Sequence, residues 1–347
     1  MTIRVAINGF GRIGRTVLRA WTGGGWPDVE IVAINDIAPA ETLAHLFEYD
    51  STFGPFPGTV ALEPDALVVN GRRLRLTGAA DLAALDLSDA DIVMECTGRG
   101  DNPQVAAAGL RAGAGRVLVS GPSNTADATI VLGANDDRLA PGHRIVSNAS
   151  CTTNALAPLA RLIDRHWGIE TGYMTTIHCY TGSQPTIDTP RGHDLARSRA
   201  AALSMVPTTT SAQRLTDTVL PELAGRIRGS AVRVPTASVS AVDLCVITRA
   251  RATETAANAA LRAAGGVIGA TDRPLVSSDL RARPESIVMA LPETAVTGGG
   301  MLRVFGWYDN EWGFSCRMLD MAVRMGALRL SPSSKYPRGE SPQATGG

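Results

Sequence analysis

The residues best equipped for covalent chemistry are Ser147-Asn148-Ala149-Ser150-Cys151-Thr152-Thr153-Asn154, a cysteine among hydroxyls and amides. Leu156, Leu159, Leu162 and Ile163 follow at helical spacing, so Cys151 is expected to open a buried helix. There the positive end of the helix dipole favours thiolate over thiol. A second reactive group ends the strand-like run Tyr173-Met174-Thr175-Thr176-Ile177-His178. A histidine at a strand end, ahead of a loop rich in hydroxyls and arginines, suits proton transfer more than core packing. That loop, 179–202, holds Gly182, Pro185, Pro190 and Gly192 and has little pattern, as functional loops do. Beyond it, Thr208-Thr209-Thr210-Ser211 forms a hydroxyl cluster at an expected helix start, apt for an anion.

The elements that must position these groups begin at the N-terminus. Arg4 to Asn8 reads as a β-strand, Gly9-Phe10-Gly11-Arg12-Ile13-Gly14 follows, and Arg15 to Trp21 is amphipathic. In a strand, G-x-G-x-x-G, helix unit the glycines allow a tight turn, close approach to a pyrophosphate and close helix packing. Glu30 to Ile34 is a second strand, ending in Asn35-Asp36. Asp36 lies about 22 residues past Gly14, where a carboxylate accepts from adenosine ribose hydroxyls and repels a 2′-phosphate. The expected cofactor is therefore NAD. Ala40 to Tyr49 reads as a helix, and Val60 to Leu76 as a hairpin turning at Asn70-Gly71.

Three further runs, Asp91–Gly98, Arg116–Pro122 and Ala128–Gly133, are strands ending in small residues. Together they predict an α/β fold with a Rossmann-type doubly wound parallel sheet. Ala231–Thr236, Val239–Ile247, Ile287–Leu291 and Met301–Tyr308 predict an α+β domain with a largely antiparallel sheet. The expected division is 1–150 for the dinucleotide and 151–313 for catalysis. A helix over 314–330 packs back on the first unit, and the Ser-, Pro- and Gly-rich stretch 331–347 forms a disordered tail.

A length of 347 residues accommodates two medium domains. The formal net charge of +0 leaves no electrostatic footprint for nucleic acid or an anionic membrane. The five cysteines are scattered without a CxxC, which argues for a reducing, cytoplasmic setting and against a disulfide framework or metal site. No window approaches 18 uninterrupted apolar residues, and Thr2 to Phe10 reads as a strand, not a signal peptide.

Several of these motifs together resemble the phosphorylating, NAD-dependent glyceraldehyde-3-phosphate dehydrogenases. They are Asn8 to Gly14, Ser147 to Asn154, Thr176-Ile177-His178, Arg233-Val234-Pro235-Thr236 and Trp307-Tyr308-Asp309-Asn310-Glu311. The similarity runs from Ile3 to about Leu328, and the octet around Cys151 is its most specific part. The resemblance implies that Cys151 attacks the aldehyde of glyceraldehyde 3-phosphate and that inorganic phosphate cleaves the resulting thioester. His178 would pair with Cys151 and take the hydroxyl proton. By family position, Thr181, Arg197 and Arg233 would hold the substrate's phosphate, and Ser150, Thr152, Thr210 and the Ser211 amide the attacking one. Arg12, Ile13, Asp36, Ser120 and Asn310 match cofactor contacts, with Asn310 on the nicotinamide carboxamide. The family is homotetrameric, with the 179–202 loop at a subunit contact.

Departures from the family pattern are local. Ala155 stands where a second cysteine is common, Ser211 where glycine is usual, Arg214 where lysine is usual, and no arginine occurs around Gly78-Ala79-Ala80. The resemblance also admits a hydrolytic sister enzyme acting on erythrose 4-phosphate, and a paralogue that uses arsenate. A non-catalytic NAD-binding protein is a further alternative, but such proteins typically lack the nucleophile or the base, and both are present.

Overall fold

In the computed structural model, which describes residues 2–191 and 194–328, the apolar runs of the first half pair into one sheet. Its parallel core is made of β1 (Ile3–Asn8), β2 (Val29–Asn35), β5 (Arg72–Thr77), β6 (Ile92–Glu95), β7 (Arg116–Val119), β8 (Ala128–Thr129) and β9 (Ile145–Ser147). Two antiparallel edge strands, β3 (Val60–Glu63) and β4 (Ala66–Val69), complete the order β3-β4-β5-β2-β1-β6-β7-β9-β8. The helices of this half are α1 (Arg12–Thr22), α2 (Ala40–Glu48) and the short α3 (Pro103–Ala106) and α4 (Ala108–Arg111).

Parallel strands covered on both faces read as continuous apolar runs, and β6 and β7 are buried throughout. Their alternation still sorts the two faces. Val5, Ile7, Met94 and Leu118 pack with Val17 and Leu18 of α1, while Ala6, Val93 and Val117 pack with Ala106 and Leu110. The expected hairpin over Val60–Leu76 resolves into two hairpins. Asn70 and Gly71 form the second turn, with φ of 50° and 76°, the positive pair a tight hairpin turn requires.

The second sheet has the order β11-β12-β10-β13-β17-β15-β14, with β16 on β17. Its strands are β10 (Ile169–Cys179), β11 (Val206–Thr208), β12 (Ile227–Val234), β13 (Ser240–Thr248), β14 (Ile268–Thr271), β15 (Ile287–Ala290), β16 (Ala295–Val296) and β17 (Met301–Tyr308). Most neighbours are antiparallel, as expected, but β10–β12 and β14–β15 are parallel. The β10–β12 pairing sets His178 opposite Arg233. One face is covered by α5 (Cys151–Trp167), whose Leu156, Leu159 and Ile163 meet Met174, Leu244 and Val304. Near it lie α6 (Ala212–Val219) and α7 (Glu254–Ala264). Neither α7 nor β14 stands out in the sequence. The alanine-rich α7 buries only Ala257 and Leu261, too few for a clear periodic signal.

The last helix, α8 (Trp312–Ala327), crosses back to pack on α1 and β1 through Met318, Leu319, Met321 and Met325. It starts two residues earlier than expected because Asp309 Oδ1 accepts from the N–H groups of Glu311 and Trp312. The expectations for Gly192 and for the tail 331–347 fall outside the described residues.

The three glycines of the first turn do different work. A Cβ on Gly14 would meet Gly9 O at 2.2 Å, and one on Gly9, at φ +91°, would meet Thr97 N at 2.6 Å. At Gly11 a Cβ would meet nothing within 4 Å, so that side of the turn is open. Gly9→Ala is therefore expected to lose about 3 kcal/mol of stability through the backbone clash and the positive φ. A urea-unfolding midpoint measured against the parent protein checks this.

Candidate active site

Cys151 is the first residue of α5, and Ser150 is its cap, with Oγ accepting from Thr153 N at 3.1 Å. The turn before it is strained. Ala149 sits at φ 55°, a conformation costing a non-glycine residue about 1 kcal/mol. Asn154 pins the turn by donating from Nδ2 to Asn148 O at 2.8 Å and Ser150 O at 3.0 Å. These contacts place the thiol at the helix N-terminus, facing the end of β10.

Cys151 Sγ lies 3.7 Å from His178 Nε2. The other ring nitrogen, Nδ1, is 2.7 Å from Cys179 O. With the ring proton on Nδ1, donated to that carbonyl, Nε2 presents its lone pair to the thiol. Arg233 Nη1 donates to the same carbonyl at 3.1 Å and stands 2.9 Å from Nδ1. Tyr308 packs edge-on to the imidazole, with ring centroids 6.0 Å apart.

Burial pushes the Cys151 thiol up, opposed by hydrogen bonding at Thr152 and the charge of Arg233. Burial, then the Arg233 charge, pushes His178 down to about 4. Burial thus opposes the thiolate that the helix N-terminus favours.

The anion-binding candidates form two groups. Thr181 Oγ1 is 2.9 Å from Ser183 Oγ, and Arg197 Nη2 reaches that same hydroxyl at 3.5 Å. Ser183 is thus a member that the motifs do not reveal. Arg233 is half-buried and close enough to feel the charge of Arg197, and its Nε is buried without a partner. On the other side, Ser150 Oγ contacts Thr153 Oγ1 at 2.7 Å, and Thr152 Oγ1 contacts Tyr308 OH at 2.9 Å. Hydroxyls engaged in this way keep further acceptor capacity. Thr210 Oγ1 accepts from Ala212 N at 3.1 Å. Ser211 caps α6 with φ −76°, so the serine found in place of glycine carries no backbone strain.

The dinucleotide candidates lie along the edge of the first sheet. Asp36 accepts from Phe10 N at 2.6 Å and Ala38 N at 2.9 Å, which ties its carboxylate to the glycine turn. Asp36 lines a cavity of about 360 Å³ together with Gly9, Gly11, Ala79 and Arg99. Arg99 therefore brings an arginine to a cavity where the Gly78–Ala80 segment supplies none. The open side of Gly11 and the carboxylate at the second strand end fit a dinucleotide with an unsubstituted ribose. Ile13 is half-buried in the first turn of α1, and Ser120 follows β7, its N–H donating to Glu95 O at 2.9 Å. Arg12 is committed to protein: it ion-pairs with Asp50 and with Glu311, at 2.6 Å for the latter. This leaves its backbone at the helix start as the part facing an anion. Asn310 is buried, its Oδ1 accepting from Cys179 Sγ at 3.0 Å and Ser240 Oγ at 3.1 Å. A larger cleft of about 830 Å³, lined by Trp26, Arg161, Arg165 and Arg324, contains none of these residues.

A doubly wound sheet with this turn, joined to a mixed sheet that presents a cysteine–histidine pair, defines an NAD-dependent dehydrogenase. Comparison with known families agrees. Residues 3–103 match the glyceraldehyde 3-phosphate dehydrogenase NAD binding domain, and residues 150–310 match the C-terminal domain of the same family. Curated proteins named glyceraldehyde-3-phosphate dehydrogenase are similar over nearly the whole chain. The Xanthobacter flavus protein is 50% identical over 335 residues, spanning 94% of this chain and 100% of the relative. That of Cereibacter sphaeroides is 50% identical over 333 residues, again 94% and 100%. That of Geobacillus stearothermophilus is 44% identical over 338 residues, 95% and 100%. The chain belongs to the glyceraldehyde-3-phosphate dehydrogenase family.

The histidine makes a prediction about acid stability. Unfolded, it takes up a proton near 6.5; folded, only near about 4. The folded state binds fewer protons between those values, so stability present above 6.5 is lost as pH falls toward 4, by about 3 kcal/mol. His178→Asn should flatten this part of the curve, as read from urea midpoints at pH 7, 5.5 and 4.5.

Proposed function

We propose that this protein oxidises D-glyceraldehyde 3-phosphate and couples the oxidation to phosphate, giving 1,3-bisphosphoglycerate. The observation that carries the reading is the 3.7 Å contact between Cys151 Sγ and His178 Nε2 at the start of a buried helix. An aldehyde has no good leaving group, so its oxidation to an acyl phosphate needs a covalent handle. When bound, NAD supplies the hydride acceptor.

The chain's own groups account for the protons. His178 Nε2 takes the thiol proton as sulfur adds to the aldehyde carbon, and returns it to the new alkoxide. The same nitrogen takes the hydroxyl proton as hydride leaves, which yields the thioester and an imidazolium. Phosphate oxygen then attacks the thioester carbonyl and the C–S bond breaks. The departing thiolate recovers its proton from His178, while the proton of the phosphate goes to solvent. An imidazolium beside Arg233 is held at a cost, which favours its return of the proton at each step.

Arg233, Arg197, Thr181 and Ser183 receive the substrate's phosphate in this scheme. Ser150, Thr152, Thr210 and the Ser211 N–H receive the attacking one. The unpartnered Nε of Arg233 supports its placement between the two. We assign the first sheet with α8 to NAD and the second to catalysis.

A homotetramer is supported by apolar groups that a lone chain would leave wet. Leu195 is 81% exposed, Leu203 86% and Met205 73%, all in or just after the long loop. All five cysteines are free, as suits a reducing cytoplasm. Among the described residues no helix is long and apolar enough to cross a membrane.

Purified protein should reduce NAD with glyceraldehyde 3-phosphate only when phosphate or arsenate is present. Phosphate-independent turnover, faster with erythrose 4-phosphate, would move the assignment to a hydrolytic enzyme. His178→Asn is expected to lower kcat by about 10²–10⁴ with little change in KM, measured by absorbance of NADH.

A further inference from the structure

Cys179, the residue after the base, gives each of its polar groups to a different part of the site. Its carbonyl accepts from His178 Nδ1 at 2.7 Å and from Arg233 Nη1 at 3.1 Å. Its N–H donates to Ser240 Oγ at 3.1 Å. Its thiol donates to Asn310 Oδ1 at 3.0 Å, and Ser240 Oγ reaches the same oxygen at 3.1 Å. Cys179 is 1% exposed, Ser240 0% and Asn310 5%, so water has little access to replace these bonds.

The directions of the bonds follow from chemistry. The N–H of Cys179 occupies a lone pair of Ser240 Oγ, which leaves that hydroxyl's proton for Asn310. Burial pushes the Cys179 thiol up to about 12, so it remains a donor throughout the neutral range. Two donors converging on one atom fix which end of the Asn310 amide is oxygen. The NH₂ is then the end presented to a ligand. Asn310 itself sits two residues past Tyr308, which is opposite Ser240 in the β13–β17 pairing. The relay therefore crosses β10, β13 and the end of β17.

We propose that Cys179 is a positioning residue: its thiol, with Ser240, locks the Asn310 amide in one orientation, so that its NH₂ meets the nicotinamide carboxamide oxygen and one ring face turns to Cys151. This rests on the function proposed above. It adds that one residue ties the base, through its carbonyl, to the group that orients the nicotinamide, through its thiol.

The test compares Cys179→Ala, Cys179→Ser, Ser240→Ala, the double variant Cys179→Ala/Ser240→Ala and Asn310→Ala with the parent protein. Equilibrium NAD binding is measured by calorimetry. The face of hydride transfer is read by proton NMR of the reduced cofactor made from aldehyde deuterated at C1. Cys179→Ala should weaken NAD about 5-fold, as loss of one buried hydrogen bond does. It should also leave deuterium at both C4 positions. The double variant should approach Asn310→Ala, and Cys179→Ser, which keeps a donor, should restore a single face.

Alkylation of Cys151 by iodoacetamide should be unchanged in Cys179→Ala. If it slows while NAD affinity and the transfer face stay as in the parent, Cys179 serves only the histidine and the proposal is overturned. The same holds if Cys179→Ala matches the parent in both readouts while Asn310→Ala does not. Should Cys179→Ala fail to fold, Cys179→Ser and Ser240→Ala carry the comparison. NAD binding by the parent without turnover of the triose phosphate would instead refute the function and leave the binding arm of the test intact.

Discussion

The contact between Cys151 Sγ and His178 Nε2 is the interaction on which the rest of this structure depends. Burial disfavours the charged form of each group, so the imidazole must already face the thiol for a proton to pass between them. The carbonyl of Cys179 secures that orientation by accepting from Nδ1. The N-terminus of α5 supplies the other half, delivering the thiol through a turn in which Ala149 is held at φ 55°. Strain of this kind persists only where surrounding contacts impose it. Here the Asn154 amide does so.

Arg233 shows how topology serves the same end. The parallel pairing of β10 with β12 sets it beside His178, where its charge opposes a lasting imidazolium. A buried guanidinium is expensive unless it is satisfied. The free Nε is thus an unmet demand that an anion can answer, close to where the chemistry needs one. Arg12 likewise joins α1 to Glu311, next in sequence to Asn310, and so ties the glycine turn to the segment that follows β17.

Much of this was legible in the residues. Cys151 at a helix start, His178 at a strand end, Asp36 beyond the glycine turn and the last helix follow from local periodicity, which sequence displays directly. The parallel order of β10 and β12 does not, because a strand's direction relative to its neighbour is fixed by the path of the chain between them. Ser183, Ser240 and Cys179 were not visible as site residues for a similar reason. Ser240 lies 61 residues from the Cys179 N–H it accepts and 70 from Asn310. The helix N-terminus that favours a thiolate is a local property of α5, whereas the burial that opposes it is a property of the assembled site.

Whether sulfur of Cys151 carries the acyl group is the claim on which everything else rests. Mass spectrometry of the protein after one exposure to NAD and glyceraldehyde 3-phosphate, with phosphate withheld, addresses it most directly. The account predicts one glyceroyl-phosphate adduct per chain, mapped to Cys151 and removed by added phosphate with release of the acyl phosphate. NADH formation without any adduct, or an adduct on another cysteine, would contradict it.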